Sequence, residues 1–127
     1  MNLLDFAKRL QDQKVGVMGK TLFINMLPIE VGLGVLLRNS LEGTAIDYEL
    51  PNYSKGAFQI IVRAPSYPAG EALINQVTAA LTINSEPVGG YFVNYARPRT
   101  EPVVFPLSVG NLLEFSVYVD VNAYRMK

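Results

Sequence analysis

The segment from residue 57 to residue 83 places the strongest limits on how this chain can fold. Residues 57–64 alternate as in a β-strand, with Phe58, Ile60 and Val62 on one face. A helix follows, and its apolar residues fall on one stripe, namely Leu73, Ile74, Val77, Ala80 and Leu81. A helix with one apolar stripe buries that stripe against another element. Here the preceding strand indicates that this element is a β-sheet. The segment therefore predicts a domain with helices packed on a sheet.

The rest of the chain predicts one more helix and several strands. The first helix is expected over residues 2–14, with Asn2 as its N-cap, and the second helix is expected to end near Asn84. Further strands are expected at residues 21–27, 91–97 and 113–123. Residues 29–41 fit either a strand or a short helix, and a strand at 33–38 is favoured. Residues 42–56 are interpreted as a strand tip or a protruding loop, and residues 98–106 as an extended connection with few ladder hydrogen bonds.

This order of elements predicts an α+β fold. We expect a largely antiparallel sheet of four to five strands with two helices packed on one face, in a single domain over residues 1–127. The last strand is the most regular, because apolar residues occupy its odd positions from Leu113 to Ala123. We expect its amides to be unpaired on one side and available to a neighbouring copy.

Composition points to a protein that contacts other proteins. Charged residues make up 17% of the sequence and apolar residues 50%, whereas soluble domains average about a quarter charged. Two interpretations stay open: an exposed apolar or tyrosine-rich contact surface, or a compact domain with a large core. The net charge of zero argues against a nucleic-acid-binding protein, because such a protein needs a stripe of basic residues. The early charge of Asp5 and the absence of an apolar run of about 18 residues predict a soluble protein without a membrane partner.

The side-chain inventory argues against catalysis and cofactors. The chain has no histidine and no cysteine, which removes the commonest general base, thiolate nucleophiles and thiolate metal sites. Asp47 and Glu49 share a face if they lie in a strand, but they lack the oxygen-rich loop pattern of a hard-cation site. We therefore expect no catalytic residue, no metal and no cofactor.

Six residues are candidates for contact with another subunit or partner. Arg97 and Arg99 lie on a stiff connection, where their guanidinium groups can bind carboxylates or phosphate. We pair them with Asp47 and Glu49 of a neighbouring copy. The remaining candidates are Tyr118 and Tyr124, on the polar face of the last strand. Each also has a plainer interpretation as a solvated surface residue.

Taken together, the layout resembles that of the bacteriophage tail terminators and related minor capsid proteins of the head–tail junction. The resemblance rests on the amphipathic helix before a strand stopped by Pro28, the strand over residues 58–64, and the helix begun by Pro68. The proline-bearing link to a terminal strand over residues 115–119 completes it. The similarity lies in the order of the elements and in their apolar and polar patterning, and it extends over nearly the whole chain.

The resemblance implies a structural virion protein. Such a protein forms a ring, usually a hexamer, on the completed tail tube and presents a face to the head connector. Its partners would be its own copies, the tail tube protein and the connector, and DNA would pass through the ring without being read. Lys55, with the arginines, would then be a candidate to face the lumen. The alternatives are a neck or head-completion protein of the same junction, assembled like the first in the host cytoplasm, and a small-ligand-binding module.

Overall fold

A computed structural model describes residues 2–41, 43–46, 48–50, 52–106 and 111–126. It contains two helices, α1 (Leu3–Asp12) and α2 (Tyr67–Leu81). The strands are β1 (Leu22–Ile24), β2 (Gly34–Asn39), β3 (Ala45–Ile46), β4 (Tyr53–Ala64), β5 (Ile83–Val88), β6 (Tyr91–Pro98), β7 (Val103–Pro106) and β8 (Leu113–Arg125).

The strands form one sheet in the order β1-β2-β4-β8-β6-β5. β3 pairs with β4, and β7 pairs with β8 beyond the end of β6. Among the strand pairs formed by the described residues, only that of β1 and β2 is parallel. The predicted α+β class and largely antiparallel sheet are therefore confirmed. The predicted count of four to five strands is wrong, since the described residues already form a sheet of eight strands. The additional strands are β3 and β7, which are short, and β5, which lies where a helix end and a turn were expected.

Local sequence explains where each helix begins. The Asn2 side chain accepts a hydrogen bond from the amide of Leu4, as predicted for an N-cap. Ser66 caps α2 in the same way through the amide of Ala69, and Pro68 lies in the first turn. α2 packs on β4, β8 and β6, whereas α1 lies against α2 and the flanking strands β1, β2 and β5. Both helices contribute to one core, but only α2 covers the centre of the sheet while α1 packs partly on α2, so the expected placement of both helices on one face is matched only in part.

The core lies between the helices and one face of the sheet, here called the core face. Phe58, Ile60 and Val62 are buried there, as the strand alternation predicts. In β8 the odd positions are likewise buried, from Phe115 to Ala123. Helical residues from both helices complete the same cluster, among them Phe6, Leu10, Ile74 and Val77. The opposite side of the sheet is here called the open face.

Three local predictions are wrong. α2 ends at Leu81, and residues 83–88 form β5 instead of a helix end and a turn. Part of the proline-bearing connection is the strand β7, because Pro102 and Pro106 lie outside or at the end of the ladder with β8. The last strand is not a free edge, since β8 pairs with β4 on one side and with β6 and β7 on the other. Its regular alternation reflects a central position.

Candidate functional site

The open face gathers most of the residues predicted to make contacts. In the register of β4 with β8, Lys55 lies opposite Asn122, and Tyr118 lies opposite Gln59. In the register of β6 with β8, Arg97 lies opposite Asp120. All these positions point away from the core face, because they alternate with its buried residues.

Arg99 is held on this face by β8. Its Nη2 lies 2.8 Å from Oδ1 of Asp120, and its Nε lies 3.2 Å from the same oxygen. The guanidinium carbon also lies 5.2 Å from the centre of the Tyr118 ring. Ion pairing and a cation–π contact therefore orient the side chain although it is half exposed.

Arg97 is oriented differently, by an aromatic ring of its own strand. Its guanidinium carbon lies 4.3 Å from the centre of the Tyr95 ring. In the part of the chain that the structure describes, no carboxylate lies within ion-pair distance of Arg97. The side chain is exposed.

A depression of about 500 Å³ brings the arginines and Lys55 together. Its wall includes Arg97, Arg99, Asp120 and Lys55. Residues 43–45 form another part of the wall, and they belong to the segment that also carries Asp47 and Glu49. Cationic groups from β4, from β6 and from the loop after β6 thus lie beside residues 43–45, whose segment carries carboxylates by sequence.

At the far end of the open face, Tyr124 packs on a ring and borders a polar network. The Phe92 and Tyr124 rings are stacked with their centres 5.4 Å apart. Beside them, Asn122 donates a hydrogen bond to the Tyr53 hydroxyl and accepts one of 2.7 Å from Asn94. These contacts fix a polar and aromatic surface, which is the composition of many protein interfaces.

The structure places the predicted contact residues as follows. Arg97, Arg99, Tyr118, Tyr124 and Lys55 all lie on the open face. Asp47 lies outside the described residues, and Glu49 is exposed in the segment before β4. The proposed pairing of the arginines with the acidic residues of another copy stays a prediction.

Sequence reasoning missed the partners that orient the arginines. Neither Asp120 nor Tyr95 was identified from the sequence as a partner of an arginine, although Tyr95 lies two residues before Arg97 on the same strand. Which residue lies opposite Arg97 depends on the register of β6 on β8. A bulge between Val93 and Tyr95 shifts that register, and no sequence signal reports it.

Three further observations on the described residues concern metal binding, membrane spans and titrating groups. They contain no group of three or more His, Cys, Asp or Glu side chains placed to hold a metal ion. None of the helices in the described ranges is long and apolar enough to cross a membrane. One titrating group is clearly perturbed, since a hydrogen bond to Glu71 raises the pKa of Tyr67 above its ordinary value. Tyr67 lies at the edge between α2 and β7, away from the open face.

The sequence matches the model of a family described as bacteriophage tail terminator protein, over residues 9–125. The chain belongs to this family. A comparison with curated protein sequences gave no significant match. Among solved structures, the chain is similar to one in the virion of a native gene transfer agent particle. That similarity has a TM-score of 0.62 at 12% identity and covers 94% of this chain and 84% of the other. At this identity the similarity shows a shared fold.

Proposed function

We propose that this chain is a structural virion protein that assembles into a homohexameric ring, ends the tail tube and joins it to the head connector. Membership of the tail terminator family supports the role at the tail. The protein would work by its shape and contacts and not by catalysis. We further propose that residues 1–127 act as one tail-terminator-like domain in the virion, at the head–tail junction, after assembly in the host cytoplasm.

The observation that carries the proposal is the shared placement of the candidate contact residues. Arg97, Arg99, Tyr118 and Tyr124 were selected from separate parts of the sequence, and the fold puts all of them on the open face. A surface with oriented arginines and exposed tyrosines suits a protein interface, because such residues bury large areas at low entropic cost. A head-to-tail contact through such a face closes into a ring when the rotation between copies allows it.

The acidic half of this contact is proposed to come from a neighbouring copy. Arg97 has no carboxylate partner among the described residues, while Glu49 is exposed on the segment before β4. Asp47 and Glu49 of one copy would meet Arg97 and Arg99 of the next. Lys55 lies on the wall of the same depression and is proposed to face the lumen, where passing DNA would make light contacts with it.

Loss of the protein from its phage tests this function. Particles assembled without it are expected to show tail tubes of irregular, excessive length and filled heads that stay separate from tails, because nothing stops or caps the tube. Expression of the wild-type chain in trans is the control and restores joined particles of uniform length. Joined, uniform tails in the absence of the protein would refute the role.

A further inference from the structure

The outer edge of β7 is the most unusual feature of the sheet. β7 pairs with β8 on one side, and no described strand pairs with its other side. Its apolar residues are unusually exposed, at 52% for Val103, 36% for Val104 and 46% for Phe105. A strand edge of this kind offers backbone amides and carbonyls to another strand.

The two outermost strands of the sheet have edges that are blocked. At β1, the amide of Gly19 donates to the carbonyl of Leu22 at 3.0 Å, so a turn of the same chain occupies that edge. At β5, Ser85 has a positive φ of 52° and Pro87 has no amide to donate. Natural sheets use such irregularities and prolines to prevent edge pairing. β7 lacks them over residues 103–105, but Pro102 before the strand and Pro106 at its end limit an added strand to a few paired residues.

A groove of about 320 Å³ runs beside this edge, between α2 and β7. Ile74, Val104 and Phe115 line its apolar part, and Glu71 and Glu101 add carboxylates. No described lysine or arginine lines the groove or forms an ion pair with either carboxylate. A strand added to β7 would therefore bind more tightly if it carried positively charged side chains on the side that faces α2.

We propose that the edge of β7 accepts, as an added strand, an extended segment of another virion protein in which apolar residues alternate with lysine or arginine. Its basic side chains would point toward Glu71 and Glu101, and its apolar side chains would lie beside Val103 and Phe105 on the open face. Main-chain hydrogen bonds would supply affinity and the alternation would supply specificity. The inference rests on the proposed function, because the virion junction brings another protein to this edge.

A second copy of the chain fits this edge poorly. Pairing β7 with β7 would bring the carboxylates of both copies together, which is unfavourable. Of the described loops with exposed apolar residues, the one at 25–33 carries Glu30 and the segment at 48–50 carries Glu49. The loop at 13–21 is basic, but the amides of its exposed Val17 and Met18 already donate to the side chains of Thr21 and Gln11. A different protein is therefore the better occupant.

Short synthetic peptides test the proposal on the full chain. One alternates valine and phenylalanine with lysine, a second replaces lysine by glutamate, and a third carries N-methyl groups that prevent strand pairing. Binding is followed by fluorescence anisotropy, and the site by hydrogen exchange with mass spectrometry. The lysine peptide is expected to slow exchange at residues 103–105 and not at 83–88.

Glu71→Gln with Glu101→Gln should weaken binding of the lysine peptide about fivefold, the effect expected for two exposed ion pairs. Glu30→Gln is the matched control.

Several outcomes would overturn the proposal. These are unchanged exchange at residues 103–105 with millimolar lysine peptide, equal binding of the lysine and glutamate peptides, and full binding of the N-methylated peptide. Protection of the edge that grows with protein concentration alone would identify a second copy as the occupant, against the choice made here. Ring formation is measured separately by light scattering, so failure of the peptide leaves the proposed function standing, and a monomeric protein that binds the peptide would refute the ring alone.

Discussion

Gly70 of α2 lies directly against the ring of Phe115 in β8. A Cβ added at residue 70 would stand 2.0 Å from Cε1 of that ring. The helix can approach the sheet this closely only because residue 70 has no side chain. The Phe115 ring in turn is buried and packs against Tyr67, with ring centres 5.6 Å apart.

Gly70→Ala is therefore expected to destabilise the protein by about 1 to 3 kcal/mol, the usual cost of overpacking a core. The direction is informative, because glycine to alanine inside a helix normally stabilises. Urea unfolding measures the change. Gly32→Ala is the control, since a Cβ there meets nothing within 4 Å. An increase in stability for Gly70→Ala would show that the close contact is wrong.

Arg63 ties the loop before β2 to the sheet. Its Nη1 donates to the carbonyls of Pro28 and Val31 at 2.9 and 3.3 Å, and its Nη2 lies 3.3 Å from Oε2 of Glu114. Only 13% of the side chain is exposed. Its removal leaves these acceptors without their donor.

Arg63→Met should lower the free energy of unfolding by about 2 to 4 kcal/mol. Hydrogen exchange over residues 26–33 should also become faster. Arg38→Met on the adjacent strand is a matched control, because Arg38 forms no ion pair with a described residue. Equal effects of the two substitutions would contradict the assigned role of Arg63.

Tyr67 reports on the carboxylates of the groove between α2 and β7. The hydrogen bond to Glu71 and the charges of Glu71 and Glu101 raise the pKa of the Tyr67 hydroxyl. A negative neighbour makes tyrosinate harder to form, so Glu71→Gln is expected to lower this pKa toward its ordinary value. Ultraviolet titration of tyrosinate, compared with a Tyr67→Phe variant to assign the signal, measures it. A pKa that stays the same or rises would show that Glu71 does not contact the hydroxyl.

The proposed contact between copies predicts a charge rescue. Arg97→Glu should reduce assembly, and so should Asp47→Lys combined with Glu49→Lys. Combining all three should restore assembly, with a coupling of at least about 0.5 kcal/mol. Arg97 is a better choice than Arg99, whose substitution would also break the pair with Asp120.

Analytical ultracentrifugation measures the assembly of these variants. Lys8→Glu on α1 is the control for the change in net charge. A combined variant as defective as either parent would mean that these residues are not opposite one another.

The sequence predicted those parts of the fold that depend on local periodicity. The alternation in β4 and β8, the stripe of α2 and the N-cap at Asn2 were all recognisable, because burial and capping leave a signal within a few residues. The short strand β7 was missed, and β3 was predicted only as one of two alternatives for residues 42–56, because two to four residues carry too little periodicity.

Long-range pairing explains the remaining errors. The alternation of β8 is the same whether the strand is central or at an edge, so its free amides were predicted wrongly. The candidate residues of the open face were found from residue type, but the contact of Arg99 with Asp120 depends on how the chain around β6 lies against β8. Tyr95 lies two residues from Arg97 on the same strand, and that spacing was the signal that sequence reasoning overlooked. The edge of β7 became apparent only from exposure and topology.

The mass of the purified protein in solution tests the central proposal most directly. Light scattering should give six times the 14.0 kDa of the chain, and electron microscopy should show closed rings, with labelled protein at the head-proximal end of the tail in intact particles. A protein that stays monomeric at high concentration and is absent from purified particles would contradict the account.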